Sequence, residues 1–466
     1  MFLFSTAFFH ESKLLVKLAL PILFAQLALT GLGVVDTIMA SKVGTNDLAA
    51  IGLGTNIMLP VFIFGTGVLL AITPLVSKAN GQQKPENVRL YLIQGLWLSI
   101  PLGIASLIVL MNLSWLLKLL GLNPEVYQLT KDYLFFIAFG LPGVALYQVL
   151  RFFWEGLGKT LPTMWISFIA LMLNIPLNAI FIYGFGPIEA HGAAGCGIAS
   201  SLVMWSMFFI GLLYILKNSQ LSRYLKPLDS VNSLEAKTKQ DYKVNWQQGI
   251  KPIVSLGLPN SFALLFEVSL FSFIALFIAV LGTSVIAANQ IAISFTSVAF
   301  MVPLSFAMAL TVRVGYGFGQ LDRIKVKNTL FTGLSWALIT GLLLALISYV
   351  FRVDIVKLYS NDPEVLAVAT TLIFYAALYQ TFDAIQVNAA GALRGFHNTK
   401  TTMFVTFISY WVIGLGLGYI FTFTDWITQP MGVTGFWLGI VIGLTLAAIL
   451  LSLKLRNVFH YHLSAK

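Results

Sequence analysis

The feature that most constrains this chain is the recurrence of long apolar runs. Twelve of them fall near residues 14–38, 51–76, 92–116, 130–150, 161–183, 194–216, 253–279, 286–311, 329–350, 365–388, 402–423 and 434–453. Each reaches the ~20 residues that an α-helix needs to cross a hydrocarbon core about 30 Å thick. Lipid offers no hydrogen-bond partners, so a spanning segment must satisfy its own backbone, and a helix does so internally. With 58% hydrophobic residues, 10% charged residues and a mean hydropathy of +0.87, the 466 residues lie far from soluble domains, which run at about a quarter charged. The chain is read as an all-α polytopic membrane protein with twelve transmembrane helices. Its start, "MFLFSTAFFHESK", has neither a basic leader nor a small-residue cleavage site, so no cleaved signal is expected. The single cysteine, Cys196, leaves no internal disulfide.

The net charge of +10 takes its meaning from its placement. Of the 28 Lys and Arg, 23 fall in the termini and in the loops after spans 2, 4, 6, 8 and 10. Only Lys42, Lys118, Lys131, Arg352 and Lys357 fall in the other loops. By the positive-inside rule both termini and the long central loop are expected to be cytoplasmic. The basic excess then reports orientation, and no nucleic-acid partner is expected.

The two halves read as copies. "LALP" at 18–21 returns as "LGLP" at 256–259, a shift of 238. At the same shift "VGTNDLAAIGLGTN" (43–56) faces "LGTSVIAANQIAIS" (281–294), and "NGQQ" near 80–83 faces "FGQL" near 318–321. "LRFF" (150–153) and "LRGF" (393–396) pair at a slightly larger shift. The expected organisation is an N-lobe over 1–216 (helices 1–6), a polar cytoplasmic linker over 217–250 and a C-lobe over 251–466 (helices 7–12). Six spans per half make a parallel repeat about the membrane normal, an arrangement in which transporters place substrate and ion sites near the midplane. A channel of repeated segments would carry a filter loop of the "TVGYG" kind, and none is present in the sequence.

Of eighteen acidic residues, seven lie in cytoplasmic segments, eight in loops on the far side, and three inside spans: Asp36, Glu267 and Asp383. An ionised Asp near a bilayer centre costs about 2.5–3.5 kcal/mol on insertion scales, so such a residue is a functional-site hypothesis by default. No Lys or Arg falls mid-span to pair with them. Around Asp383, Tyr379 and Gln386 share a helical face at i−4 and i+3. Asn260 lies two turns before Glu267. In "NIPLN", Asn174 and Asn178 are four residues apart with Pro176 between them, either as site residues or as helix–helix contacts. A carboxylate in a low dielectric disfavours its charged form, so it holds a proton or keeps a cation beside it. A proton, a sodium ion and a cationic substrate would compete for that place, which is the simplest basis for antiport. Tyr379 could add cation–π attraction.

The segments "VVDTIMASKVGTNDLAAIGLGTNIMLP", "LMLNIPLNAIFIYG", "LFEVSLFS", "ALYQTFDAIQVNAAGALRGF" and "SYWVIGLGLGY…QPMGVTGFWLG" together resemble the multidrug and toxic compound extrusion (MATE) family, closest to its bacterial NorM-type branch and over essentially the whole chain. The resemblance implies two six-helix lobes flanking a central cavity that opens alternately to either side. It implies export of small cationic amphipathic drugs and dyes in exchange for Na⁺ or H⁺, from the bacterial inner membrane. By the same resemblance, Asp36 with Asn174 and Asn178 forms an N-lobe polar cluster responsive to cations and protons. Glu267 and Asp383 form the C-lobe pair that holds the coupling cation, Na⁺ as a metal ligand set included, with Tyr379 and Phe300 as nearby aromatics. Keeping both sets leans toward Na⁺. Arg394 of "LRGF" fits the family but falls on the cytoplasmic side of this topology, and is read as structural or lobe-contacting. No cofactor beyond the coupling ion is expected, and a monomer is expected to function.

An enzyme is disfavoured by the five histidines, which all fall in loops or tails without an H-E-x-x-H pattern. "GYGFGQ" at 315–320 has no strand before it to make a nucleotide loop. A lipid-linked precursor flippase of the same superfamily is the nearest alternative, followed by a purely H⁺-coupled exporter. A flippase would be expected to carry cations for pyrophosphate where this chain carries acids.

Overall fold

The computed structural model of the protein describes residues 6–119, 121–225 and 243–463; of the expected 217–250 linker, residues 226–242 lie outside them. Twelve helical spans follow in order: α1 (Thr6–Ser41), α2 (Thr45–Gly81), α3 (Pro85–Leu119), α4 (Pro124–Ala138 and Gly140–Gly156), α5 (Leu161–Tyr183), α6 (Gly192–Lys217), α7 (Trp246–Leu281), α8 (Thr283–Gln320), α9 (Arg323–Val350), α10 (Pro363–Gly395), α11 (Thr399–Phe423) and α12 (Val433–His462). Eleven are single helices long and apolar enough to cross a bilayer, and α4 is a pair bent by 41°. Among the described residues the only β-type pairing is an isolated bridge between Phe185 and Ile188.

The bend in α4 has a local cause. Pro142 lacks an N–H and cannot serve the carbonyl of Ala138, so the ladder breaks beside Phe139. In lipid the carbonyls around such a break need other donors. Ser201 on α6 donates to Phe136 O at 2.5 Å, and Trp205 Nε1 donates to Phe139 O at 2.9 Å.

Several helices outrun the bilayer: the 36 residues of α1 span about 54 Å at 1.5 Å per residue. Some basic residues read as lying in loops therefore fall within helices. Arg394, read from sequence as a cytoplasmic loop residue, lies buried in the last turn of α10. Arg151 is buried in α4, where it pairs with Glu155 at 2.8 Å one turn on. Arg313 of α8 holds Glu11 of α1 through two bonds of 2.7 and 2.8 Å, and Thr329 of α9 donates to the same carboxylate at 3.1 Å.

Packing divides the chain into two compact units. One is Phe24–Ser261, here the N-unit; the other combines Met1–Leu23 with Phe262–Lys466, here the C-unit. The divisions fall inside α1 and α7 rather than in a loop. They sit 238 residues apart, two residues beyond Pro21 and Pro259, the prolines of "LALP" and "LGLP". The first half of α1 joins the C-unit core, where Leu15, Leu18 and Ala19 pack with Phe306, Leu310 and Leu393. The start of α7 joins the N-unit.

The last two helices of the C-unit pack backbone against backbone. Gly435, Gly439 and Gly443 form a four-residue ladder along α12, the small-residue pattern that lets membrane helices approach closely. A Cβ on Gly439 would overlap the Gly414 carbonyl oxygen, and one on Gly443 would lie 2.5 Å from Ser409 O. Opposite this ladder, Phe407–Leu415 of α11 is wound as a π-helix, a geometry that rotates the side chains beyond it and often accompanies function.

Candidate functional site

In the N-unit the single carboxylate Asp36, on α1, is 9% exposed and carries three neutral hydrogen bonds. Asn174 and Asn178 of α5 donate to Oδ1 at 3.0 and 2.6 Å, and Ser200 of α6 donates to Oδ2 at 3.3 Å. The i, i+4 spacing brings both amides to one face, and Asn178 also donates to Asn174 Oδ1 at 3.1 Å. Cys196 and Tyr133 stand within electrostatic reach of Asp36, and Tyr133 shares a hydrogen bond of 3.2 Å with Thr55. The donors satisfy the oxygens of Asp36 but supply no positive charge.

In the C-unit, Glu267 on α7 and Asp383 on α10 are half-buried. Among the described residues neither makes a hydrogen bond or an ion pair; the two ion pairs found are Arg151–Glu155 and Arg313–Glu11. The two acids act on each other electrostatically, and Arg394 acts on Glu267. Tyr379 is 3% exposed, with its ring tilted over Trp437 at 6.2 Å and its hydroxyl near Thr296 of α8. Gln386 donates through Nε2 to the hydroxyl of Tyr410 on α11, while its Oε1 is buried without a partner. Phe300 lies half-buried on α8.

The structure thus brings Asp36, Asn174 and Asn178 together, and Glu267, Asp383, Tyr379 and Gln386 together. Asn260 is engaged elsewhere. It belongs to the N-unit and donates to Gly67 O at 3.0 Å. That carbonyl is available because α2 breaks at Leu70–Ala71, where Ala71 N turns to Val68 O. Sequence reasoning missed Ser200, Tyr133 and Tyr410. The repeat offered one signal for Tyr410: at the 238 shift it falls in the counterpart of α5, the helix that carries the N-unit amides.

A duplicated bundle of spanning helices with carboxylates held inside the membrane is the architecture of a secondary transporter. The MatE family model matches this chain twice, over residues 21–180 and 259–420, with starts separated by the 238-residue shift seen in "LALP" and "LGLP". The chain is 41% identical over 449 residues to the probable multidrug resistance protein NorM of Shewanella oneidensis, covering 96% of this chain and 95% of that one. It is 40% identical over 441 residues to the multidrug resistance protein NorM of Aliivibrio fischeri, covering 95% and 93%. The solved eukaryotic MATE transporter AtDTX14 shares the fold, with a TM-score of 0.85 at 19% identity over 98% of this chain and 99% of that one. The chain belongs to the MATE family, in its bacterial NorM-type branch, and is not an enzyme. With its spans and bacterial relatives, it is a multi-pass protein of the inner membrane.

Proposed function

We propose that this protein exports small cationic amphipathic drugs and dyes by antiport with a monovalent cation, Na⁺ ahead of H⁺, through alternating access, and that a monomer suffices. Both termini are assigned to the cytoplasm from the charge placement. The observation that carries the reading is that Asp36, Glu267 and Asp383 lie within the apolar runs and none has a counter-ion within ion-pair distance among the described residues. Glu267 and Asp383, half-buried beside the unpartnered oxygen of Gln386, offer the hard oxygen ligands that suit Na⁺. Asp36, with its ring of neutral donors, takes a proton or a cation.

An uncompensated acid in low dielectric is stable only while a positive species is beside it. Two such species, ion and drug, then exclude one another, and exclusion couples their fluxes. One monovalent cation moving down 100 mV releases about 2.3 kcal/mol, enough for roughly a fiftyfold gradient of the exchanged solute. The names of the relatives cited above, multidrug resistance proteins, support the substrate class.

Cationic-dye transport in everted vesicles, driven by an imposed Na⁺ gradient and then by a pH gradient, tests this. Dye accumulation against its own gradient under either drive is expected, larger under Na⁺. Equal transport with no gradient would eliminate antiport.

A further inference from the structure

The arginines of the repeated "LRFF" and "LRGF" stretches have unlike surroundings. In the N-unit, Arg151 holds Glu155 one turn on at 2.8 Å and reaches Gln26 Oε1 at 3.3 Å. One turn beyond Arg394 stands Asn398, which brings no charge. Arg394 is 7% exposed, and its side chain makes no hydrogen bond or ion pair among the described residues. An arginine in the last turn of a helix commonly donates to the free carbonyls there; Arg394 donates to none. Glu267 lies within its electrostatic reach but beyond ion-pair distance. Arg313 Nε is closed off without a partner, whereas no nitrogen of Arg394 is closed off.

The backbone that carries this side chain is firmly held. Every residue of α10 from Gln386 to Gly395 is buried. Gly391 and Gly395 let α10 lie directly on α8, where a Cβ would meet Ala307 O at 2.5 Å or Thr311 O at 2.9 Å. Thr311 Oγ1 donates to Gly391 O at 2.8 Å. With no stripe turned to lipid at this level, α10 presents Arg394 to a small molecule rather than to a phospholipid.

A guanidinium keeps its charge across the physiological range and carries five donors in a planar fork that matches a carboxylate. Held in a protein interior without an acceptor, it is costly until an anion meets it. We infer that Arg394 is the anion-binding residue of the C-unit and takes a carboxylate carried by the exported compound. Two parallel N–H···O bonds then favour a zwitterionic drug over its ester, which has no charge to offer the fork. The inference rests on the export reading and adds to it a residue that reads the negative end of a substrate.

The test is binding of rhodamine B and of its ethyl ester to the purified full chain, read by fluorescence anisotropy at neutral pH and fixed Na⁺. The two dyes share a cationic ring system, and only rhodamine B carries an ionised carboxyl group. The unaltered protein is expected to hold rhodamine B about tenfold more tightly than the ester, the effect of one hydrogen bond between charged groups. Arg394→Gln is expected to bring that ratio to about one. Arg394→Lys, which keeps the charge and loses the fork, is expected to leave a ratio between these values, and it serves if the glutamine variant fails to fold. Equal affinities in the unaltered protein, or an unchanged ratio in the variants, would overturn the assignment while leaving export intact. Displacement of rhodamine B but not of the ester by added phosphatidylglycerol would overturn it in favour of a lipid phosphate. Absence of binding by both dyes would count against the substrate class proposed above as well.

Discussion

The two units hold their membrane acids in opposite ways. Asp36 of the N-unit sits within three hydrogen bonds from two helices. Glu267 and Asp383 of the C-unit face each other electrostatically without a direct protein partner. Donors fix the position of the first acid. The second pair has no such donors, only each other and Arg394 within electrostatic reach. A duplicated fold has thus kept its helices and diverged in its chemistry. The N-unit is built to hold its acid in one geometry, and the C-unit to depend on what arrives.

The comparison breaks most decisively at the acids. Glu267→Gln or Asp383→Asn is expected to drop Na⁺-driven dye accumulation in everted vesicles to the level of gradient-free leak, with insertion unchanged. Asp36→Asn is expected to remove the H⁺-driven component and leave Na⁺-driven transport measurable. Normal Na⁺-driven accumulation in both C-unit variants would remove the distinction between the units.

Next in size is the crossing of the last two helices in each repeat. A Cβ on Gly195 would overlap the Phe181 carbonyl oxygen, and one on Gly435 would lie 2.7 Å from the Phe421 carbonyl carbon. These residue pairs are repeat equivalents, both separated by 240 positions. Gly439→Leu and Gly195→Leu are each expected to lose about 3 kcal/mol or more, read as loss of the monodisperse peak on size exclusion. Gly416→Leu, where the added carbon meets open space, is expected to behave as the parent.

Smaller again is Asn178→Ala, which removes the 2.6 Å donor to Asp36. It is expected to slow H⁺-driven transport about tenfold without moving the half-saturating Na⁺ concentration. The smallest effect is assigned to Asn260→Ala. Losing its bond to Gly67 O should lower thermal stability by about 1 kcal/mol and leave both ion dependences alone. A change in Na⁺ affinity there would return Asn260 to the acidic site.

Much of this was legible in the letters. Spans announce themselves because burying a charged or backbone polar group in lipid is so costly that long apolar runs have few other uses. The three acids stood out for the same reason, and the spacing of Asn174 and Asn178 placed them on one face. What stayed hidden depended on departures from regular helix. Tyr410 could not be placed by a 3.6-residue period, because a π-turn advances the face by one residue. The partner of Asn260 exists only because α2 breaks two residues beyond Val68. Arg394 was set in a loop because a hydropathy window marks where the apolar run ends, not where the helix stops.

The glycine ladder of α12 carries a consequence for how this protein can vary. The widened stretch of α11 is accommodated by atoms that are missing from the helix opposite, so a single added methyl group there would have to push the α11 backbone away. Sequence variation in this lobe is therefore restricted at apolar positions that no inventory of polar residues would flag.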